Sequence, residues 1–328
     1  MTRVVVGDIG GTNARLELVD MEPHPQGLRR QDYHSPAYEG LAPVLRDFLA
    51  SVPGDPPTLA CLAVAGPVQD NTMHLTNRGW VSRGEDLAAE LGLGRVHFLN
   101  DLAAVGYGLE ALTEADFHVL QAGRPVPQAP KAVIAAGTGL GQTYLTWNGR
   151  AYEVWSSEGG HGDFAPRNAL EMDLLCYWLE RLPRLSIERF VSGSGLVRLY
   201  EFLAHRHPQQ VSPQVSVAIL TEEPAAVITR EALAGTDVLC GQALDLFISL
   251  YGAEAGNLAL KLLPLGGLYV AGGIAPRILS HLQTGLFLEQ FARKGRMQSL
   301  LEQIPVTVIT NPDVGLLGAR VAAGRLLT

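Results

Sequence analysis

The chain has 328 residues, of which 33 are acidic and 25 are basic, so its formal net charge is −8 at pH 7. Apolar residues make up 47% of the sequence, which excludes wholesale disorder, and the length predicts about two domains. The negative charge argues against nucleic acid and acidic membrane surfaces as partners, because both are polyanions.

Cysteine usage and hydropathy predict a cytoplasmic protein. Cys61, Cys176 and Cys240 lie far apart, which favours neither a disulfide framework nor a zinc site. The apolar run at the start breaks on glycine after a few residues, so we expect no signal peptide. The longest charge-free stretch, 132–149, contains glycines and polar residues that a membrane span tolerates poorly.

The first predicted elements form a hairpin. A β-branched strand at 3–6 leads to a tight turn at 10–13 and to an alternating strand at 15–19. A dinucleotide-binding fold or a P-loop would need a helix after the glycines, so the sequence argues against both. The proline-containing segment 21–38 is predicted to be a loop or an edge. The remaining elements predicted in this half are a helix at 41–50, a strand at 59–64, a helix at 85–91 capped by Ser82, a strand at 96–99 and a helix at 102–109.

The second half repeats the strand–glycine turn–strand pattern. Residues 121–131 hold three prolines and predict a surface connection. A buried strand at 132–136 then reaches a glycine turn at 137–141, and another strand follows at 143–147. The later predicted elements are helices at 169–181, 195–206, 228–235, 237–263 and 315–327, and strands at 265–270 and 306–310. Two such hairpins are the pattern expected of a two-lobed nucleotide-binding fold.

The first glycine turn is a candidate phosphate site. Glycine lets backbone N–H groups approach phosphate oxygens, and a carboxylate at the strand end can hold Mg²⁺. The candidate nucleotide-binding residues here are Gly7, Asp8, Ile9, Gly10, Gly11, Thr12 and Asn13, with Asp8 as the candidate metal ligand. A glycine hairpin beside an acidic residue is the alternative interpretation.

Two later glycine segments are further candidates. Gly137, Thr138 and Gly139 suit a second phosphate clamp, because ATP bound in a cleft needs a grip from each wall. Gly272 and Gly273 follow a buried strand and leave flat backbone against which an adenine ring can rest. Ordinary tight turns are the alternative for both segments.

Polar side chains near strand ends are candidate catalytic and substrate-binding residues. Asn100 and Asp101 follow a strand, where carboxylates of open α/β sheets point towards ligands, although Asp101 as a helix N-cap is the alternative. Glu158 and His161 can recognise hydroxyl groups, with metal ligation or a plain turn as alternatives. For Glu188, an exposed helix-start glutamate is the interpretation that the residues alone favour.

With all these residues in view, the chain resembles the bacterial glucokinases of the hexokinase/actin-like ATPase superfamily. The motifs that carry the resemblance are, in chain order, GDIGGTNARL (7–16), AVAGPV (63–68), LTNRGW (75–80), LNDLAAVGYGL (99–109), GTGLG (137–141), EGGHGDFAP (158–166), ERFVSGSGL (188–196), GNLAL (256–260), GGLYVAGGI (266–274), KGRM (294–297) and NPDVGLLGA (311–319). The chain lacks the cysteine-rich zinc motif of the repressor-type sugar kinases, which favours the glucokinase group.

The resemblance implies a fold and its division. It implies an α/β, two-lobed actin-like ATPase (ribonuclease-H-like) fold with a central cleft that closes on the sugar. The small domain would comprise 1–111 and 301–328, and the large domain 112–300. A homodimer is also implied.

The resemblance further implies ATP-dependent phosphorylation of D-glucose on its 6-hydroxyl, the first step of glycolysis, with Mg²⁺. Asp101 would be the general base, and Asn100, Glu158, His161 and Glu188 would bind the other hydroxyls. The two glycine turns would hold phosphates, and Gly272 and Gly273 would flank the adenosine.

Three other functions stay open. The first is a hexose kinase of broader specificity. The second is a sugar sensor without turnover, which would not need Asp101. The third is an actin-like ATPase, in which the polar cluster 158–163 and Glu188 would serve no purpose.

Overall fold

The computed structural model describes residues 2–52 and 54–327. Its strands, in chain order, are β1 (Arg3–Ile9), β2 (Asn13–Asp20), β3 (Gln26–His34), β4 (Leu59–Val64), β5 (Val68–Gln69), β6 (Thr72–Leu75), β7 (Trp80–Arg83), β8 (Arg95–Asn100), β9 (Phe117–Gln121), β10 (Lys131–Ala136), β11 (Leu140–Trp147), β12 (Tyr152–Ser157), β13 (Leu268–Ala271) and β14 (Val306–Ile309).

The α-helices, in chain order, are α1 (Leu41–Ala50), α2 (Gly84–Leu91), α3 (Asp101–Gly108), α4 (Ala169–Leu179), α5 (Gly193–Arg206), α6 (Pro213–Thr221), α7 (Pro224–Ala234), α8 (Val238–Leu262), α9 (Leu279–Leu282), α10 (Leu286–Ala292), α11 (Gln298–Leu301) and α12 (Val314–Leu327). Short 3₁₀ turns at Gly159–His161 and Ile187–Arg189 bear on the candidate site.

The described chain divides into two compact units. The first contains the residues up to Ala115 together with those from Asn311 onward, and the second spans Asp116–Thr310.

The first unit is built on a sheet with strand order β3-β2-β1-β4-β8, in which β1, β4 and β8 run parallel. Side chains alternate between the two faces of β1. Val5 belongs to the core formed with α1, whereas Val4 and Val6 pack with Leu316 and Ala319 of α12. Because both faces of the sheet are covered at β1, the sequence of this strand is almost continuously apolar.

The second unit repeats this order. Its sheet runs β12-β11-β10-β13-β14-β9, with β10, β13 and β14 parallel and an antiparallel edge strand added at β9. Its longest helix, α8, has 25 residues and is buried along most of its length. The Asp237 carboxylate caps α8 by accepting the Cys240 N–H at 2.8 Å.

Several predictions that depend only on neighbouring residues are confirmed by the structure. The hairpin at 3–20, the helix at 41–50, the strand at 59–64 and the long helix starting after Asp237 are confirmed. The predicted cap Ser82 is wrong, because Ser82 lies in β7 and α2 begins after Arg83 without a side-chain cap.

Other predictions miss elements that depend on distant packing. The strand predicted at 265–270 begins only at Leu268, since Gly267 has a φ of 126° and turns the chain there. The small antiparallel sheet of β5, β6 and β7 was not predicted, and neither was α6. Their short apolar runs carry too little periodicity to identify an element.

Glycines allow α3 and α12 to cross at very short range. A Cβ added at Gly318 would lie 1.7 Å from the Ala104 carbonyl oxygen, and one at Gly108 would lie 2.3 Å from the Val314 carbonyl oxygen. The two backbones are therefore in direct contact, and neither glycine position has room for a methyl group.

We predict that Gly318→Ala lowers the stability of the chain by about 1–3 kcal/mol, because the added methyl group forces the two helices apart. Gly324→Ala on the same helix is the matched control, since its Cβ would meet only the flexible Met21 Cε at 3.3 Å. Alanine is the better helix former by about 1 kcal/mol, so the control should be neutral or slightly stabilising. Denaturant midpoints measure both variants, and equal stability of the two would contradict the crossing geometry.

Candidate active site

In the first unit, the candidate residues meet at one edge of the sheet. Ile9 is in register with Val64, and Val64 is in register with Asn100, so the parallel strands β1, β4 and β8 end side by side. The glycine turn after β1 and the start of α3 after β8 therefore share the carboxyl edge of the sheet, where ligands of α/β folds bind.

The first glycine turn is shorter than the sequence suggests. Gly7 and Ile9 lie buried inside β1, and a Cβ at Gly7 would come within 2.7 Å of the Leu16 side chain. The turn itself is closed by the Gly10 N–H, which donates to the Asn13 carbonyl at 2.8 Å. The backbone presented to a ligand here is consequently that of residues 10–13.

Asp8 lies beside this turn within a chain of charges. Its carboxylate is 3.9 Å from the Arg15 guanidinium, which is 3.7 Å from Asp313. Asp313 accepts two hydrogen bonds from Arg30, at 2.7 and 2.8 Å. Burial raises the pKa of Asp8 above its ordinary value although Arg15 opposes the shift, and the Arg30 hydrogen bonds lower the pKa of Asp313.

The Asp8 carboxylate suits a magnesium ion. A third of its side chain stays accessible, and Mg²⁺ is usually held by one or two carboxylates plus phosphate oxygens and water. Arg15, Arg30 and Asp313 were not singled out from the sequence, because Asp313 is far along the chain from the other two.

Asn100, and not Asp101, caps helix α3. The Asn100 Oδ1 accepts the N–H groups of Leu102 and Ala103 at 3.0 and 3.3 Å, and its amide donates to the Gly66 carbonyl at 3.2 Å. The alternative interpretation of Asp101 as the N-cap is therefore wrong. Asp101 is the first residue of the helix, and its Oδ1 accepts the Leu102 N–H at 2.9 Å.

In the second unit, the two remaining glycine segments also lie side by side. Ala135 is in register with Ala271, so the turns that follow β10 and β13 open at the same edge. The Gly137 carbonyl accepts the Gly193 N–H at 2.9 Å, which fixes the turn against the start of α5. Gly272 has a φ of 86°, and a Cβ there would lie 2.3 Å from the Ala136 carbonyl oxygen. Position 272 therefore has no room for a larger residue.

The structure brings Glu158, His161 and Glu188 together. His161 Nε2 is 3.8 Å from the Glu158 carboxylate, and His161 Nδ1 is 3.8 Å from the Glu188 carboxylate. The interpretation of Glu188 as an exposed helix-start residue is wrong, since its side chain is only 27% exposed and its Oε2 accepts the Leu140 N–H at 3.0 Å. Among the described residues, no group of three or more His, Cys, Asp or Glu side chains is placed to hold a metal ion.

A buried polar chain supports the turn that carries Glu158 and His161. A Cβ at Gly159 would lie 2.1 Å from the Gln142 Oε1, so the turn rests directly on that side chain. Gln142 Nε2 donates to Glu254 at 2.9 Å, and Asn257 donates to the other Glu254 oxygen at 3.0 Å. Neither Gln142 nor Glu254 was predicted, because nothing in the sequence links β11 to α8.

Comparison with known proteins identifies the family. A family model described as Glucokinase matches residues 5–326. The chain belongs to the glucokinase family. Its resemblance to the bacterial glucokinases is thereby confirmed.

Individual glucokinases match over their full length. A glucokinase from Nostoc punctiforme is 48% identical over 342 residues, covering 99% of this chain and 100% of the relative. The crystal structure of a glucokinase from an Antarctic psychrotroph has a TM-score of 0.83 at 33% identity, with 98% of each chain covered.

A more distant neighbour shows the shared fold alone. A ROK family glucokinase from Streptomyces griseus, solved with glucose and AMPPNP, has a TM-score of 0.66 at 20% identity and covers 99% of each chain. The predicted α/β fold of the actin-like ATPase type is confirmed by these neighbours.

The length and hydropathy of the helices bear on whether one could span a membrane. Among the described residues, no single helix is long and apolar enough to cross a membrane. Helices α7 and α8 meet the length and composition only as a pair, and the pair bends by 102°.

Lys294 ends the polar chain behind the 159–161 turn and gives a pH-dependent prediction. Its ammonium group donates to the Ala253 carbonyl at 2.8 Å and to Asn257 at 2.5 Å. Burial, with a smaller contribution from Arg167, lowers the pKa of Lys294 from 10.5 to about 8, while Glu254 opposes the shift.

Because the folded-state pKa of Lys294 lies below the unfolded one, the unfolded chain binds more protons between the two values. The contribution of Lys294 to stability should therefore rise as the pH rises from about 8 to about 10.5. Urea midpoints of wild type and Lys294→Met at about pH 7 and about pH 9.5 should show the difference moving in favour of wild type at the higher pH. A difference independent of pH would contradict the prediction.

Proposed function

We propose that this chain is an ATP:D-glucose 6-phosphotransferase that produces glucose 6-phosphate and ADP, the first step of glycolysis. The observation that carries the proposal is the full-length match to glucokinases, at 48% identity to the Nostoc relative. The grouped acceptors Glu158, His161 and Glu188 support the same substrate, because a sugar offers several hydroxyls to recognise.

Glucose recognition is assigned to Asn100, Glu158, His161 and Glu188. The Glu158 and Glu188 carboxylates accept hydrogen bonds from hydroxyl groups other than the 6-hydroxyl, and His161 accepts or donates them. Asn100 contributes only through its amide nitrogen, since its Oδ1 already accepts two N–H groups of α3. Asn100 can therefore only donate a hydrogen bond to a sugar oxygen.

Asp101 is assigned as the general base. Its carboxylate takes the proton of the 6-hydroxyl while the new bond forms from O6 to the γ-phosphorus and the bond from that phosphorus to the ADP oxygen breaks. The Leu102 N–H donates to its Oδ1 at 2.9 Å, which orients the carboxylate at the start of α3. Phosphoryl transfer requires mainly such positioning and charge stabilisation from a protein.

ATP is assigned to the glycine segments. The turns 10–13 and 137–139 donate backbone N–H groups to phosphate oxygens, except those of Gly10 and Gly137, which close the turns by donating to the Asn13 and Gly139 carbonyl groups. Gly272 and Gly273 flank the adenosine. Asp8 would hold Mg²⁺, which when bound neutralises charge on the phosphates. Arg15, held between Asp8 and Asp313, keeps the Asp8 carboxylate in place.

The proposal extends to compartment and assembly. A cytoplasmic location is supported by three widely spaced cysteines. A homodimer is implied by the family resemblance, and light scattering on the purified chain tests it.

The proposed reaction predicts sugar-dependent ADP release. With ATP, Mg²⁺ and glucose, the chain should release ADP, and no release should occur without sugar. Mannose and fructose test whether the kinase has broader specificity. Sugar-independent ADP release would indicate an ATPase instead, and glucose binding without turnover would indicate a sensor.

We predict that Asp101→Asn lowers kcat by about 10²–10⁴-fold, the usual contribution of a general base, while glucose affinity measured by calorimetry changes far less. Asp86→Asn is the matched control, because Asp86 is also an acidic residue in the first turn of a helix and is largely exposed. The control should retain wild-type turnover. A loss below about tenfold for Asp101→Asn would remove Asp101 as the base.

A further inference from the structure

A fully buried tyrosine lies where the glycine turns 137–139 and 272–273 of the second unit begin. Tyr251 on α8 has no exposed surface. Its phenol oxygen accepts the Ala136 N–H at 3.2 Å and lies 3.2 Å from the Ile134 carbonyl oxygen and 3.4 Å from the Ala271 carbonyl oxygen. Ala136 immediately precedes Gly137, and Ala271 immediately precedes Gly272.

The hydroxyl replaces hydrogen bonds that the sheet loses at this point. The parallel pairing of β10 with β13 ends at Ala135 and Ala271, after which the two strands leave the ladder for their turns. Buried backbone groups need another partner once a ladder ends. A phenol can accept and has one proton to donate, so the Tyr251 hydroxyl accepts from the Ala136 N–H and shares its proton between the Ile134 and Ala271 carbonyl groups.

The position of the hydroxyl is fixed by its ring. Phe287 packs edge-on against Tyr251 with ring centroids 5.5 Å apart, and Phe247 does so at 5.9 Å. Burial raises the pKa of Tyr251 well above its ordinary value, so the hydroxyl keeps its proton and can donate.

We propose that Tyr251 is a positioning residue for ATP: through Ala136 and Ala271 it holds the turns 137–139 and 272–273 in the arrangement that binds the nucleotide. This inference rests on the proposed assignment of ATP to those turns. Tyr251 does not touch the ligand itself.

The sugar-binding turn has a separate support. Glu158 and His161 flank the turn that rests on Gln142, which is held by Glu254 and not by Tyr251. Glu188 is different, because it accepts the Leu140 N–H next to the 137–139 turn. Since two of the three sugar-binding residues in this unit are supported elsewhere, removing the Tyr251 hydroxyl should affect nucleotide binding more than glucose binding. A general loss of structure would affect both.

Tyr251→Phe tests the inference. The Ala136 N–H loses its acceptor, and the Ile134 and Ala271 carbonyl groups lose the proton that they share. The Kd for AMPPNP, measured by calorimetry without glucose, should therefore rise about three- to tenfold. The KM for ATP should rise by a similar factor, while the KM for glucose should stay within about twofold.

Tyr200→Phe is the matched control. Tyr200 is a buried tyrosine of the same unit, 6% exposed, and its hydroxyl has no hydrogen-bond partner in the described part of the chain. This variant should leave the Kd for AMPPNP and both KM values at wild-type levels. Phe287→Leu, which keeps the Tyr251 hydroxyl but removes one packed ring, should raise the Kd for AMPPNP less than Tyr251→Phe.

Three outcomes would overturn the inference. They are wild-type AMPPNP affinity in Tyr251→Phe, an equal rise in the KM for ATP and for glucose, and a larger loss of AMPPNP affinity in Phe287→Leu. If Tyr251→Phe does not fold, Phe287→Leu decides by the second of these criteria, because an equal rise in the KM for ATP and for glucose in that variant overturns the inference. Failure of the proposed function would appear differently, as wild-type protein that releases no ADP with glucose.

Discussion

Buried backbone that leaves a β-ladder must find another hydrogen-bond partner, and both units are organised around this requirement. Each candidate turn opens where strand pairing stops. In the first unit, the Ser35 hydroxyl donates to the Gly10 carbonyl, and Asn100 accepts the first N–H groups of α3. In the second unit, the Tyr251 phenol and the Gly193 N–H serve the same purpose. The side chains that satisfy the strand ends thus also fix the turns.

Glycine performs two different tasks in this chain. At Gly108 and Gly318 it allows two helices to touch, which is a matter of packing. At Gly10 and Gly137 it closes a tight turn at a sheet edge, by donating to the Asn13 and Gly139 carbonyl groups. Gly7 shows why the sequence does not separate the two tasks: it stands in the GDIGG motif, but it is buried in a strand against Leu16.

Features that depend on neighbouring residues could be predicted from the sequence. The hairpin at 3–20 follows from a β-branched run, a glycine turn and strict alternation, all within a short segment. The grouping of Glu158 with His161 follows from a spacing of three residues. The resemblance to a family supplied the fold and the joint assignment of Glu188.

Features that join distant segments could not be predicted in this way. The pair Arg30 and Asp313 is separated by 283 positions, and Tyr251 lies 115 positions from Ala136. Asn100 and Asp101 are both good helix caps, so only backbone geometry decides between them. Each of these contacts is set by how helices dock on a sheet, for which the sequence carries no local signal.

The Glu188 carboxylate limits how the sugar preference of this chain can change by substitution. One of its oxygens holds the Leu140 N–H beside the glycine turn, and the other faces His161. A substitution there alters the wall assigned to the nucleotide together with the one assigned to the sugar. Within residues 2–52 and 54–327, the Glu158 carboxylate holds no backbone N–H, and its side chain is 73% exposed. A change of preference towards another hexose, by evolution or by design, is therefore easier to reach by substituting Glu158 than by substituting Glu188.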